Sequence, residues 1–211
     1  AESRDTETGE HLNRIRLYVR ELAEEMLNFE NYRDVIDANF VEEIYQSSPL
    51  HDIGKVGIPD MILLKPGKLT SEEFEIMKMH SAIGGDTLRA ADKEAGQHSF
   101  LTMGRDIAYC HHEKWDGSGY PFGLKELRIP LPARITALAD VYDALTSKRP
   151  YKEPFSHEKS KTIIEEGRST HFDPDVVDAF LARENKFILI CKSNQSTDEL
   201  SPIQQVVQMI G

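Results

Sequence analysis

The histidines and their immediate neighbours are the part of this sequence equipped for chemistry. His51 is followed directly by Asp52, His111 by His112 and Glu113, and Glu7 stands four residues before His11. Positions i and i+4 of a helix share a face, so Glu7 and His11 could reach one metal together. Asp140 lies inside the apolar run Ile135-Thr136-Ala137-Leu138-Ala139-Asp140-Val141-Tyr142. A carboxylate buried there needs a strong partner, and a divalent cation is one. Imidazole and carboxylate ligands without thiolates suit Fe, Mn, Zn, Ni or Co and do not choose among them. Several such groups from separate helices fit a site of two or more metals about 3.5–4 Å apart, which activates water near neutral pH and clamps a phosphoryl group. Each piece also has an ordinary reading: His80 as a core or surface histidine, His111-His112 as a helix terminus, Asp140 as a cap or an arginine's partner. On residue types and spacing alone, the chain reads as a helical protein with a metal site.

Helices have to carry these groups. Ile15, Val19, Leu22 and Met26 recur at helical spacing and mark a first amphipathic helix. A second helical stretch covers about 34–50 and ends near His51-Asp52, before Gly54 and Gly57. Lys65-Pro66-Gly67 is a turn signal, and Thr70-Ser71-Glu72-Glu73 reads as a capping box opening a helix through His80. Residues 101–112 suit another helix, stopped by the Gly/Pro-rich segment 117–123. Arg134 to Leu145 is strongly apolar and helical, and two more helices fit at about 156–167 and 174–184. There is no internal repeat and no alternating run that would make a sheet. The predicted fold is an all-α bundle, with residues 1–192 as one domain and 193–211 as a tail or partner-dependent extension.

Composition sets the outer bounds. A chain of 211 residues, 39% hydrophobic and 29% charged, is one globular domain, or one with an appendage, and can bury a substantial core. A net charge of −11, from 36 acidic and 25 basic residues, argues against a protein that coats nucleic acid or lies on a membrane. A small anionic ligand stays compatible, because metal ions and a few local cations reverse the sign inside a cleft. Cys110 and Cys191 are far apart without CxxC spacing, which points to a reduced, cytoplasmic setting with both thiols packed in the fold. The apolar stretch Phe187 to Cys191 is too short to cross a bilayer, and the opening AESRDTETGEH has no apolar core of a signal peptide. It lacks a Met and runs almost at once into a helical pattern, as a fragment of a longer chain would.

At these residues the sequence resembles the HD-GYP subgroup of the HD phosphohydrolase superfamily. His51-Asp52-Ile53-Gly54-Lys55 looks like its HDIGK signature, and Lys65-Pro66-Gly67 through Met77-Lys78-Met79-His80 like its next block. His111-His112-Glu113-Lys114-Trp115-Asp116-Gly117-Ser118-Gly119-Tyr120-Pro121 matches the motif behind the subgroup's name. Asp140-Val141-Tyr142-Asp143-Ala144-Leu145-Thr146 then leads into Arg149-Pro150-Tyr151-Lys152, also as in the family. The likeness spans about residues 5–185 in the expected order. Two departures stand out: Glu126 sits where a glycine is common after the GYP loop, and residues 90–104 look slightly long for the cleft mouth.

The resemblance implies a helical bundle with metals between its helices, and hydrolysis of cyclic di-GMP to pGpG and in some members on to GMP. It makes His11, His51, Asp52, His80, His111, His112 and Asp140 metal ligands, with Asp52 bridging. Glu7 matches a carboxylate found in members able to hold a third metal, so two or three divalent ions are expected, Fe or Mn before Zn, Ni or Co. His98, His157 and His171 stay outside the set as surface or structural residues. Asp52 and Lys55 become the catalytic pair, Lys55 stabilising charge on the phosphoryl group or assisting the leaving oxygen. Arg149 and Lys152 become phosphate holders. Tyr120 would meet a guanine face, or its loop would dock a GGDEF-type cyclase domain, and Asp116 and Asp143 could orient ligands from behind. A sensory or receiver domain would precede this fragment. Three alternatives remain open at this point: 3′3′-cyclic GMP-AMP as substrate, another phosphate ester, or a receptor and cyclase-docking module without catalysis.

Overall fold

Apolar residues at three- and four-residue intervals make α1 (Gly9–Met26) the spine of the molecule, with Ile15, Tyr18, Val19, Leu22 and Met26 fully buried. The structure, a computed structural model, describes residues 9–96, 99–148 and 153–193. Glu7, His98, Arg149 and Lys152 therefore lie outside the described residues. Against α1 pack α2 (Ala38–Ser47), α6 (Leu131–Thr146), α8 (Pro174–Ala182) and α9 (Glu184–Ser193). The short α3 (Asp60–Leu63) leads to a hairpin of α4 (Ser71–Ala95) and α5 (Ser99–Cys110), which meets the rest through α2 and α6. α7 (His157–Glu166) closes against α6. Among the described residues there is no strand, only an isolated bridge between Arg168 and Phe172, so the expected all-α bundle is what the chain forms. No described helix is long and apolar enough to cross a membrane.

Several boundaries differ from the sequence-based expectation. The second helix starts at Ala38 rather than near 34, because the Asp37 side chain caps it by accepting from Phe40 N at 2.8 Å. The Thr70/Glu73 capping box forms as expected, with Thr70 N donating to Glu73 at 2.7 Å, but the helix it opens runs past His80 to Ala95. Residues 90–95 thus form the last turns of α4 and 99–104 the first turns of α5. The expectation also missed α9. Phe187 is fully buried, stacked on Tyr18 at 4.5 Å and edge-on to Tyr142 and Phe180, so tertiary packing holds a helix that periodicity did not reveal. Of the tail expected at 193–211, Ser193 is the last residue of α9 and the rest lies outside the described residues.

One glycine decides how the site is assembled. The 3₁₀ turn Ile53–Gly57 lies directly on α4, and a Cβ on Gly54 would collide with the His80 carbonyl and the Gly84 backbone. Only a hydrogen fits, and that contact brings Asp52 up to His80. Gly54→Ala is expected to lower the unfolding free energy by about 3 kcal/mol, because backbone rather than a flexible side chain must move. Urea unfolding of the two proteins measures this, and an unchanged midpoint would contradict it.

Candidate metal centre

Most of the candidate ligands sit at an end or a break of a helix. His11 occupies the first turn of α1, His51-Asp52 the bend between two 3₁₀ turns, and His111-His112 the exit of α5. His80 and Asp140 project from within α4 and α6. The structure gathers them into two groups in which ligating atoms lie within 4.8 Å of one another: Asp52, His80, His111 and His112, and His11, His51 and Asp140. The two groups adjoin, since the His51 ring lies 5.5 Å from His11 and 5.3 Å from His111. Asp52 stands between them. Its Oδ1 is 3.1 Å from His80 Nε2 and 3.6 Å from His111 Nε2, while Oδ2 is 3.4 Å from His51 Nε2 and 2.8 Å from Lys55 Nζ. Asp140 is half-buried rather than fully buried. Its place in the apolar α6 owes more to this cluster than to complete withdrawal from water.

The rings are oriented from outside. His51 Nδ1 meets Ser48 O at 2.9 Å, His80 Nδ1 meets Met77 O at 2.7 Å, and His111 Nδ1 meets Ile107 O at 3.0 Å. His11 Nδ1 meets Asp143 Oδ2 at 2.7 Å. An acceptor on each Nδ1 keeps the proton there and turns the Nε2 lone pair inward, the arrangement that metal-binding histidines use. Asp143 is anchored in turn by Arg14, at 2.6 Å from Nε and 2.9 Å from Nη2. Burial would raise the Asp143 carboxyl, but Arg14 and His11 hold it below its ordinary value.

The charge states suit a cation. Burial acts to raise the Asp52 carboxyl, yet the imidazoles of His51, His111 and His80 outweigh it and hold it well below the usual range. Burial lowers His111 although Asp52 pulls the other way, and burial together with His111 lowers His112 much further. An ionised Asp52 beside neutral His111 and His112 offers electron pairs without competing protons. Asp52 Oδ1 and His111 Nε2 are moreover buried without a hydrogen-bond partner, a costly arrangement that an ion between them would relieve. The donor set fits a divalent metal.

The remaining candidates fall differently. Tyr120 N donates to His112 O at 3.2 Å and the Tyr120 ring stacks on His112 at 4.7 Å, so the GYP loop roofs the second group. Glu113, whose role the sequence did not reveal, shapes that loop. Its buried carboxylate accepts from Phe122 N at 2.7 Å and Leu124 N at 3.0 Å. Gly119 passes against the Glu113 and Lys114 backbone, where a Cβ would collide. Glu126 adopts φ 55°, the left-handed conformation that explains why glycine would suit the position. Asp116 orients no ligand: it is exposed and closes a local turn by accepting from Ser118 N at 2.8 Å. His157 bonds the Tyr142 hydroxyl at 3.0 Å and the His171 ring stacks on Phe172 at 4.2 Å, and neither histidine falls in the two candidate groups. Cys110 is buried and Cys191 half-buried, and they form no disulfide with one another.

A family model described as HD domain matches residues 2–176. A cyclic di-GMP phosphodiesterase of Vibrio cholerae is 56% identical over 190 residues, covering 90% of this chain and 39% of the relative. A 3′3′-cGAMP-specific phosphodiesterase of the same organism is 42% identical over 189 residues, covering 90% of this chain and 34% of the relative. The chain thus spans less than half the length of these two curated relatives. A crystal structure of a cyclic GMP-AMP-specific phosphodiesterase from V. cholerae shares the fold with a TM-score of 0.59, at 17% identity, over 94% of this chain and 50% of that one.

Proposed function

The chain belongs to the HD domain family, in its HD-GYP subgroup, and on that footing we propose that it is a metal-dependent phosphodiesterase cleaving a cyclic dinucleotide, cyclic di-GMP first. The observation that carries this reading is Asp52, with one oxygen turned to His80 and His111 and the other to His51. A carboxylate so placed can serve two ions at once. In this reading His11, His51 and Asp140 hold one ion, and His80, His111 and His112 hold a second, with Asp52 shared. Glu7 supplies a third site, and iron or manganese is the preferred metal. Bound ions supply an activated water and neutralise charge on the phosphoryl oxygens.

The chain's own groups do the rest. The Lys55 ammonium, 2.8 Å from Asp52 Oδ2, is held at the cluster's edge, where it can engage a phosphodiester oxygen or the leaving oxygen. Arg149 and Lys152, just past the helix carrying Asp140, hold substrate phosphate. The choice of cyclic di-GMP over 3′3′-cyclic GMP-AMP is supported by 56% against 42% identity to relatives named for each. A cyclase domain docking on the GYP loop and a sensory domain upstream are proposals about the whole protein. The decisive experiment is metal analysis of anaerobically purified protein, coupled to product identification with each cyclic dinucleotide. Release of pGpG from cyclic di-GMP supports the reading, and absence of hydrolysis of either dinucleotide by fully metal-loaded protein refutes it.

Asp143 offers a finer test. Asp143→Asn removes the charge that both orients His11 and pairs with Arg14. A ligand's outer partner is typically worth about 10–100-fold in metal affinity. One of the bound ions is therefore expected to weaken by about that factor in a chelator-competition titration, and unaltered affinities would show that His11 needs no such support.

A further inference from the structure

A cyclic dinucleotide carries two phosphates and two purines, so when one phosphate lies at the metal cluster the second nucleotide must rest beyond it. The structure has a surface of suitable chemistry next to His112. Phe74 and Lys78 stand one turn apart on α4, shortly before His80. The Tyr120 ring stacks on His112 and stands edge-on to His80 at 6.5 Å. Phe74 meets Tyr120 at 6.3 Å and 82°, and Lys78 Nζ lies 5.1 Å from the Phe74 ring and 5.5 Å from the Tyr120 ring. Phe74 remains 45% exposed, an apolar face in water beside a cation. Lys78 also reaches Glu75 at 2.6 Å, but that carboxylate is 69% exposed, and such surface pairs hold weakly enough to yield to a phosphate.

We propose that Phe74, Lys78 and Tyr120 form the subsite for the substrate's second nucleotide, with the aromatic pair taking the purine and the Lys78 ammonium taking the phosphate that is not cleaved. This rests on the phosphodiesterase reading above. Aromatic rings bind any nucleobase by its face, and an adjacent cation adds the phosphate. Neither Phe74 nor Lys78 is a candidate metal ligand, so the subsite acts on substrate holding alone.

The test compares cyclic di-GMP with bis(p-nitrophenyl) phosphate, a diester that has neither a purine nor a second phosphate. Lys78→Ala and Phe74→Ala should each raise KM for cyclic di-GMP, and lower its kcat/KM relative to bis(p-nitrophenyl) phosphate, by roughly 10–100-fold. Lys78→Arg should recover most of the loss, and metal content should match the wild type throughout. An unchanged ratio between the two substrates overturns the subsite, as does an equal loss on both, which would place the effect at the metals. A wild-type protein that cleaves bis(p-nitrophenyl) phosphate but neither cyclic dinucleotide would refute the underlying reading. Normal cleavage of cyclic di-GMP with the ratio intact in both variants refutes the subsite alone.

Discussion

Asp52→Ala is expected to lower turnover of cyclic di-GMP by about 10³-fold or more and to reduce bound metal, while leaving the helical content unchanged. The size follows from what the carboxylate does. It stands between the two groups of candidate ligands, so in the proposed role its loss removes both a shared ligand and a negative charge that would offset two cations. The fold does not depend on it in the same way. Asp52 packs against rings and Lys55 rather than in the apolar core built on α1, and Gly54, not Asp52, sets the contact between the turn and α4. Asp52→Asn separates shape from charge: it keeps the volume and should lose nearly as much activity. Turnover and metal content measured on the same samples decide the matter. Near-normal turnover by Asp52→Ala with metal still bound would sink the proposed role.

What the sequence made legible was local. Capping chemistry is written in neighbouring residues, so the start of α4 at Thr70 could be read directly, and the adjacency of His51 and Asp52 survives any fold. What it hid depends on distant contacts. α9 is held by Phe187 against Tyr18, Tyr142 and Phe180, residues far apart in the chain, and its apolar stretch is too short to display a period. Glu113 escaped notice because its partners are backbone amides of its own loop, which leave no trace in side-chain pattern. Asp143 and Asp116 looked equivalent in sequence, each a carboxylate close to a proposed ligand. Only the fold separates them: α6 carries Asp143 across to His11 and Arg14, while Asp116 turns back on Ser118.

The metal-free protein is expected to lose stability as the pH falls below about 6.5, and His112→Gln should relieve a defined share of that loss. Burial keeps His111 and His112 neutral in the folded protein, His112 helped by its neighbour His111, and burial pushes His171 down to about 4. In the unfolded chain each titrates near pH 6.5. Below that value the unfolded state binds protons that the folded state refuses, so stability falls as pH falls. The rate is about 1.4 kcal/mol per pH unit for each such histidine, until its folded pKa is reached. Asp52 acts in the same direction, but at lower pH. Its folded pKa lies below the unfolded value near 3.9, so its contribution is present above that pH and disappears only in stronger acid. The window just below about pH 6.5, above the range where most carboxylates titrate, therefore belongs to the histidines. Urea unfolding of wild type and His112→Gln, both with chelator present, isolates one of them. As pH falls through the window, the variant should gain on the wild type by about 1.4 kcal/mol per pH unit. With metal bound the wild type should fall more steeply still, because protons and cation compete for the same lone pairs. Parallel stability curves for the two metal-free proteins would mean that His112 titrates alike in the folded and unfolded chains, and that the cluster is not poised in its neutral form.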